Sequence, residues 1–277
     1  MAGFGCGRCL PCRINRRRTW AWRMYLEALC HDASSFVTLT YAPENIPPGG
    51  NLDPRHLQLW LKRLRKEIYP RTVRFFAVGE YGDQTQRPHY HAALFGLGVL
   101  DTACINRAWG LGHTQVAELN QATAQYTAGY VVKKMTAMGD PRLGGRHPEF
   151  ARMSLRPGIG APAMEILAKT LSANPHGANQ LAAVGDVPHQ LQMGKHAFPL
   201  ARYLRRRLRK ELNLEDAATR PARDALSYEA SREVCDLLSA ALVSTPAASV
   251  RSVLTARDEQ KFLNVKARAA LRGKRHL

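Results

Sequence analysis

The chain has 277 residues, 45% hydrophobic and 22% charged, the proportions of an ordinary globular protein long enough to bury a sizeable core. Lys and Arg number 40 against 22 Asp and Glu, a formal net charge of +18 spread along the chain, which favours phosphate backbones through counterion release and leaves anionic membranes a distant second. No uninterrupted apolar run approaches a membrane span, and the opening MAGFGCGRCLPCR lacks the apolar segment of a signal peptide, so the expectation is a cytosolic protein with no membrane partner.

The N-terminal arm holds Cys6, Cys9 and Cys12 in C-x-x-C-x-x-C. In a reducing compartment such closely spaced thiolates suit a structural Zn²⁺, with Cys30 or His31 as the nearest fourth ligand; the alternative is reduced thiols in a basic arm. Residues 15–30 predict a helix with an apolar stripe through Trp22, Tyr25, Leu26 and Leu29. Its basic side, with Arg13, Arg16, Arg17, Arg18 and Arg23, either tracks DNA phosphates or is a solvated face. SSFVTLTY, 34–41, reads as a strand and PENIPPGGN as a loop. Asp53 then caps a helix with Pro54 at its first position, burying Leu57, Trp60, Leu61, Leu64 and Ile68, with Lys62, Arg63, Arg65 and Lys66 opposite. Trp20, Trp22 and Trp60 lie among basic residues and either stack bases or pack the core.

Strands are predicted at 73–81 and 88–96, joined by GDQTQR as a hairpin. His89 and His91, two apart, share one face, and a symmetric hairpin sets Glu80 across from His89. That mixed oxygen and nitrogen set suits Mg²⁺ or Mn²⁺ with positions open for phosphate oxygens; otherwise the pair is polar surface. Residues 120–135 predict a helix with Tyr126 and Tyr130 four apart on one face, and Lys133 close to it. In isolation the tyrosines read as packing; beside a metal pair they read as nucleophiles. Residues 139–200 lack sustained periodicity and are expected to be loops and short helices or a linker. Residues 201–277 read as mostly helical, and Arg205, Arg206, Arg207, Arg209 and Lys210 either bind nucleic acid or form a solvated face. No G-x-x-x-x-G-K-[ST] is present, so a helicase is expected from the host.

FVTLTY, GEYGDQTQRPHYHAALFG and YTAGYVVKK, in this order and spacing, resemble the motifs of HUH endonucleases, initiators of rolling-circle replication. The form most similar is that of small single-stranded DNA bacteriophages, the microviruses of gokushovirus type, which GCGRCLPCRINRRR and RMSLRPGIG also resemble. The resemblance covers roughly residues 1–160. It implies an α+β fold: a central antiparallel sheet flanked by helices, carrying the metal on one face with helices on the other and the tyrosine helix over the metal. It implies an HUH nickase domain over 1–165 and a basic, mostly helical C-terminal extension over 166–277.

It further implies a metal-dependent DNA nickase and strand-transferase of the bacterial host's cytoplasm. His89, His91 and Glu80 hold Mg²⁺ or Mn²⁺ on the scissile phosphate, and Tyr126 or Tyr130 attacks, leaving a 5′-phosphotyrosine and a 3′-OH for a polymerase. Lys133 steadies the phosphate; Lys134, Arg13, Arg16, Arg17 and Arg18 hold DNA. The partners are single-stranded DNA at the origin and the host helicase and polymerase. An HUH transposase or relaxase, and a non-enzymatic basic DNA-binding protein with a structural metal, stand as alternatives.

Overall fold

Period-two alternation does what it predicts: in a computed structural model, β1 (Ser34–Thr40), β2 (Arg74–Tyr81), β3 (Pro88–Phe95), β4 (Thr114–Glu118) and β5 (Phe150–Met153) form one antiparallel sheet, in the order β4-β1-β3-β2-β5. The structure describes residues 9–120, 123–124, 126–129, 139–184, 186–193, 196–214, 259–260 and 262–267. The β2–β3 register pairs Glu80 with His89 and Val78 with His91, as the symmetric hairpin requires. On the other side of β3, β1 pairs Thr38 with His91 and Thr40 with His89.

One face carries Val37, Leu39, Ala77, Tyr90, Ala92 and Leu94 and is covered by α2 (Pro54–Glu67) and α3 (Thr102–Trp109). Asp53 caps α2 by accepting from the Arg55 N–H, and Leu57, Trp60, Leu61 and Leu64 are buried, the predicted stripe. Arg63, expected on the solvated side, donates to the Ala108 and Trp109 carbonyls and so satisfies the end of α3. Gly110 follows at φ 62, the left-handed residue that stops that helix.

The opposite face carries Glu80, His89 and His91 at one end and Phe76, Val78, Ala93 and Phe95 at the other. Over the apolar end lie Ala21 and Met24 of α1 (Leu10–Ala28) with Ala124 and Ala128. Helices therefore cover both faces, not only the one away from the histidines. The outer side of α1 packs Trp22 and Leu26 against Met164 of α4 (Pro162–Ala173), Val187, Leu200, and Leu204 and Leu208 of α6 (Arg202–Glu211). α5 (Pro175–Val184) and a hairpin of β6 (Gln190–Met193) and β7 (His196–Pro199) complete that layer, where Phe198 stacks on Trp22 with centroids 3.8 Å apart. Trp22 and Trp60 are core residues.

Several sequence expectations change. α1 begins at Leu10, because Pro11 falls in the first turn, where its missing N–H costs nothing. α3, β4 and β5 emerge from segments without clear periodicity, and β5 gives the 139–200 region a strand on the sheet edge. The early start of α1 also removes Cys30 and His31 as partners of the N-terminal thiols. Cys12 lies in its first turn and Cys30 beyond its last, about 27 Å away at the helical rise of ~1.5 Å per residue. Cys30 Sγ instead meets the Leu26 carbonyl, and His31 pairs with Glu27.

Candidate metal centre and active site

β3 places His89 and His91 on one face, and the hairpin register brings Glu80 beside both. The Glu80 Oε1 lies 2.8 Å from His89 Nε2 and 3.4 Å from His91 Nε2. One ligand atom from each of the three lies within 4.8 Å of the others, the one such group of His, Cys, Asp and Glu among the described residues. The remaining ring nitrogens are engaged outside the cluster: His91 Nδ1 with Thr38 Oγ1 at 3.0 Å, His89 Nδ1 with the Arg87 carbonyl at 3.1 Å. Partners on Nδ1 fix each ring so that Nε2 points inward, the arrangement that metal-binding imidazoles require. The donor set therefore fits a divalent cation, and its oxygen and nitrogen chemistry suits Mg²⁺ or Mn²⁺.

Electrostatics agree with that fit. Burial works against ionising Glu80, but hydrogen bonds from His89 and His91 outweigh it and hold the carboxyl below the usual range. Burial also opposes charge on His89, and the bond to Glu80 with its charge overcomes it, lifting the imidazole above its ordinary value. The pocket thus favours one positive charge between carboxylate and imidazoles, the place in which a cation competes with a proton.

Residues 126–129 are helical and bring Tyr126 to this cluster. Its ring meets His91 edge-on with centroids 5.7 Å apart, and both rings contact Phe36, which stacks on His91 at 5.5 Å. Tyr126 is half-exposed, so its hydroxyl side remains open to a large substrate. Tyr130, Lys133, Lys134 and Cys6 lie outside the described residues. Cys9 and Cys12 have their sulfurs 3.3 Å apart at the start of α1.

The arginines of α1 do not converge. Arg17 lies against Gly129, where an added Cβ would stand 3.4 Å from its guanidinium, whereas Arg18 reaches the Ala197 carbonyl. Arg13 and Arg16 are also on α1, and Arg16 is exposed. Arg23 is turned inward, donating to the Ile159 carbonyl between the rings of Trp20 and Tyr203. It is therefore withdrawn as a DNA-phosphate contact. Sequence reasoning missed Thr38 and Phe36, although FVTLTY alternates them onto one face; what was absent was the knowledge that β1 pairs with β3.

Residues 34–135 match the family model for Replication-associated protein ORF2. The resemblance to phage replication-associated proteins holds. The chain is 30% identical to Replication-associated protein VP4 of Bdellovibrio phage phiMH2K over 167 residues, 52% of this chain and 52% of that protein. It is 32% identical to Replication-associated protein ORF2 of Spiroplasma virus 4 over 178 residues, 56% and 55% of the two chains. Replication-associated protein ORF4 of Chlamydia phage 1 is 31% identical over 152 residues, 47% of this chain and 38% of that one. The chain thus spans about half the length of the first two relatives. No solved structure matches. The match to the family model runs from β1 through β4 and the Tyr126 stretch, so it contains the whole Glu80, His89 and His91 cluster. Among the described residues no helix is long and apolar enough to cross a membrane.

Proposed function

We propose that this chain is a phage replication initiator that nicks single-stranded DNA at the origin and rejoins the ends, with Tyr126 as a nucleophile. The observation that carries the reading is the packing of Tyr126 on His91, beside Glu80 and His89, within the stretch that matches the replication-associated family model. The Tyr126 phenolic oxygen bonds to the scissile phosphorus as the bond to the 3′ oxygen breaks. The phenol loses its proton and the departing 3′ oxygen gains one, leaving a 3′-OH to prime a polymerase. The 5′ phosphate remains as a tyrosine diester, so attack by a returning 3′-OH reseals the strand without ATP. A divalent cation held by Glu80, His89 and His91 supplies positive charge to the non-bridging oxygens.

Tyr130, four residues on, serves as the second nucleophile when one turn of synthesis regenerates the origin, and Lys133 steadies the phosphate. Arg13, Arg16, Arg17 and Arg18 with Lys134 hold the DNA backbone, Arg17 from its place against Gly129. Host helicase and polymerase complete the reaction in the host cytoplasm. Cys6, Cys9 and Cys12 hold a structural Zn²⁺.

The test is incubation with Mn²⁺ and labelled single-stranded oligonucleotides tiling the replicon, resolved on denaturing gels. The expected result is a metal-dependent covalent adduct that is lost in Tyr126→Phe with Tyr130→Phe and in His89→Ala. Salt-sensitive binding without an adduct on any tile would replace this reading with a non-enzymatic DNA-binding protein.

A further inference from the structure

α6 sorts the basic run ARYLRRRLRKEL into three stripes. Leu204 and Leu208 are buried against α1. Arg205 and Arg209 turn to Asp186, whose carboxylate oxygens lie 2.8 and 2.5 Å from their Nη2 atoms, so this pair is internal ballast for a buried acid. Tyr203, Arg206, Arg207 and Lys210, at i, i+3, i+4 and i+7, form the third stripe and face outward. That stripe is one wall of an open groove whose other wall is Leu155 and Arg156. Arg206, Lys210 and Arg156 are exposed, and none makes an ion pair among the described residues; Arg207 shares Glu211 at the rim. Tyr203 is held in place by the Gly158 N–H donating to its hydroxyl.

The groove is remote from the metal cluster. β5 runs antiparallel to β2, and Arg74 Nη2 donates to the Pro157 carbonyl, so the groove opens at the Arg74 end of β2 while Glu80 stands at the other. Six residues of strand separate the two, about 20 Å. Four cations around an aromatic ring and the exposed Leu155 match a single-stranded nucleic-acid groove, in which charge tracks the backbone and flat or apolar side chains meet bases.

We infer that the groove between α6 and the 155–157 loop is a second binding site for single-stranded DNA, gripping the strand about 20 Å from the reacting phosphate. It rests on the reading that the chain acts on DNA. It separates the outward cations Arg156, Arg206, Arg207 and Lys210 from Arg205 and Arg209, which serve the fold.

The test measures binding of the full chain to a labelled mixed-sequence single strand, and to the duplex of the same sequence, in EDTA as a function of salt. Removing two phosphate contacts in Arg206→Ala with Lys210→Ala should lower the single-strand slope of log K against log salt by about 1.4, so that the wild type loses about sevenfold more affinity than the variant between roughly 50 and 200 mM. Arg156→Ala, on the other wall, should lower it by about 0.7, and serves if the double variant fails to fold. Lys62→Ala with Lys66→Ala removes the same charge from the exposed side of α2 and should leave the slope unchanged. An unchanged slope in the groove variants, an equal fall in the α2 control, or a fall confined to the duplex each overturns the site. The adduct assay separates this from the nickase reading: an unchanged slope in a protein that forms the adduct removes the groove alone, and a lowered slope without any adduct keeps the groove and removes the nickase.

Discussion

Thr38 shows how much of the centre depends on a side chain that ligates nothing. Its hydroxyl sits 3.0 Å from His91 Nδ1 and, with Phe36 against the ring, fixes which nitrogen faces Glu80. Thr38→Val keeps the shape and removes the oxygen. The expected outcome is a weakening of Mn²⁺ binding by about 10- to 100-fold in titration calorimetry, the usual cost of losing the partner of a ligating imidazole. Unchanged affinity would mean that Phe36 alone orients the ring. The histidines, Glu80 and Tyr126 were legible in sequence because HYH and the hairpin loop are local. Thr38 was not, since its role depends on a β1–β3 pairing between segments far apart in the chain.

At the scale of elements, α1 is tied to the sheet by a charge that no solvent reaches. Glu27 is fully buried; its carboxylate accepts from Arg74 Nε at 2.5 Å and from the Gly160 N–H at 2.6 Å, with His31 at 3.4 Å. Gly160, at φ +82 with an added Cβ 3.0 Å from the Arg23 carbonyl, is what lets the loop come so close. Burial pushes Glu27 up, yet these partners outweigh it and hold its carboxyl below the ordinary glutamate value of 4.5. A folded value below the unfolded one means that its contribution is complete above about pH 4.5 and is lost as pH falls through the lower folded value. Glu27→Gln should therefore flatten the acid limb of stability against pH and cost roughly 3–5 kcal/mol at neutral pH in denaturant unfolding. An acid limb of unchanged steepness would assign it to other carboxylates. α1 itself was readable from Trp22, Tyr25 and Leu26, but RPGIG was readable only as a motif: nothing in it announces that Gly160 meets a glutamate 133 residues earlier. β5 was missed for a related reason, since FARM becomes a strand by pairing with β2 and not by its own alternation.

At the scale of the molecule, the layer formed by α4, α5, α6 and the β6–β7 hairpin leans on α1 through Trp22 and is pinned internally by Asp186. Asp186→Ala would leave Arg205 and Arg209 facing one another across a site where each is about four-fifths covered. The expected loss is roughly 2 kcal/mol, below that of a fully buried pair because both guanidiniums keep some water, or about 4–8 °C in Tm. A Tm unchanged within error would show that the arginines simply turn outward. The order β4-β1-β3-β2-β5 has one more consequence. The strand that bears both histidines is the middle one, hydrogen-bonded to a neighbour along each side, so a local opening that displaced them would have to unzip two ladders at once. The imidazoles stand in the slowest-exchanging part of the sheet, and a cation arriving there has little disorder to freeze out, while the tyrosine that works beside them rides on a surface turn of helix with freedom to let a DNA strand in and out.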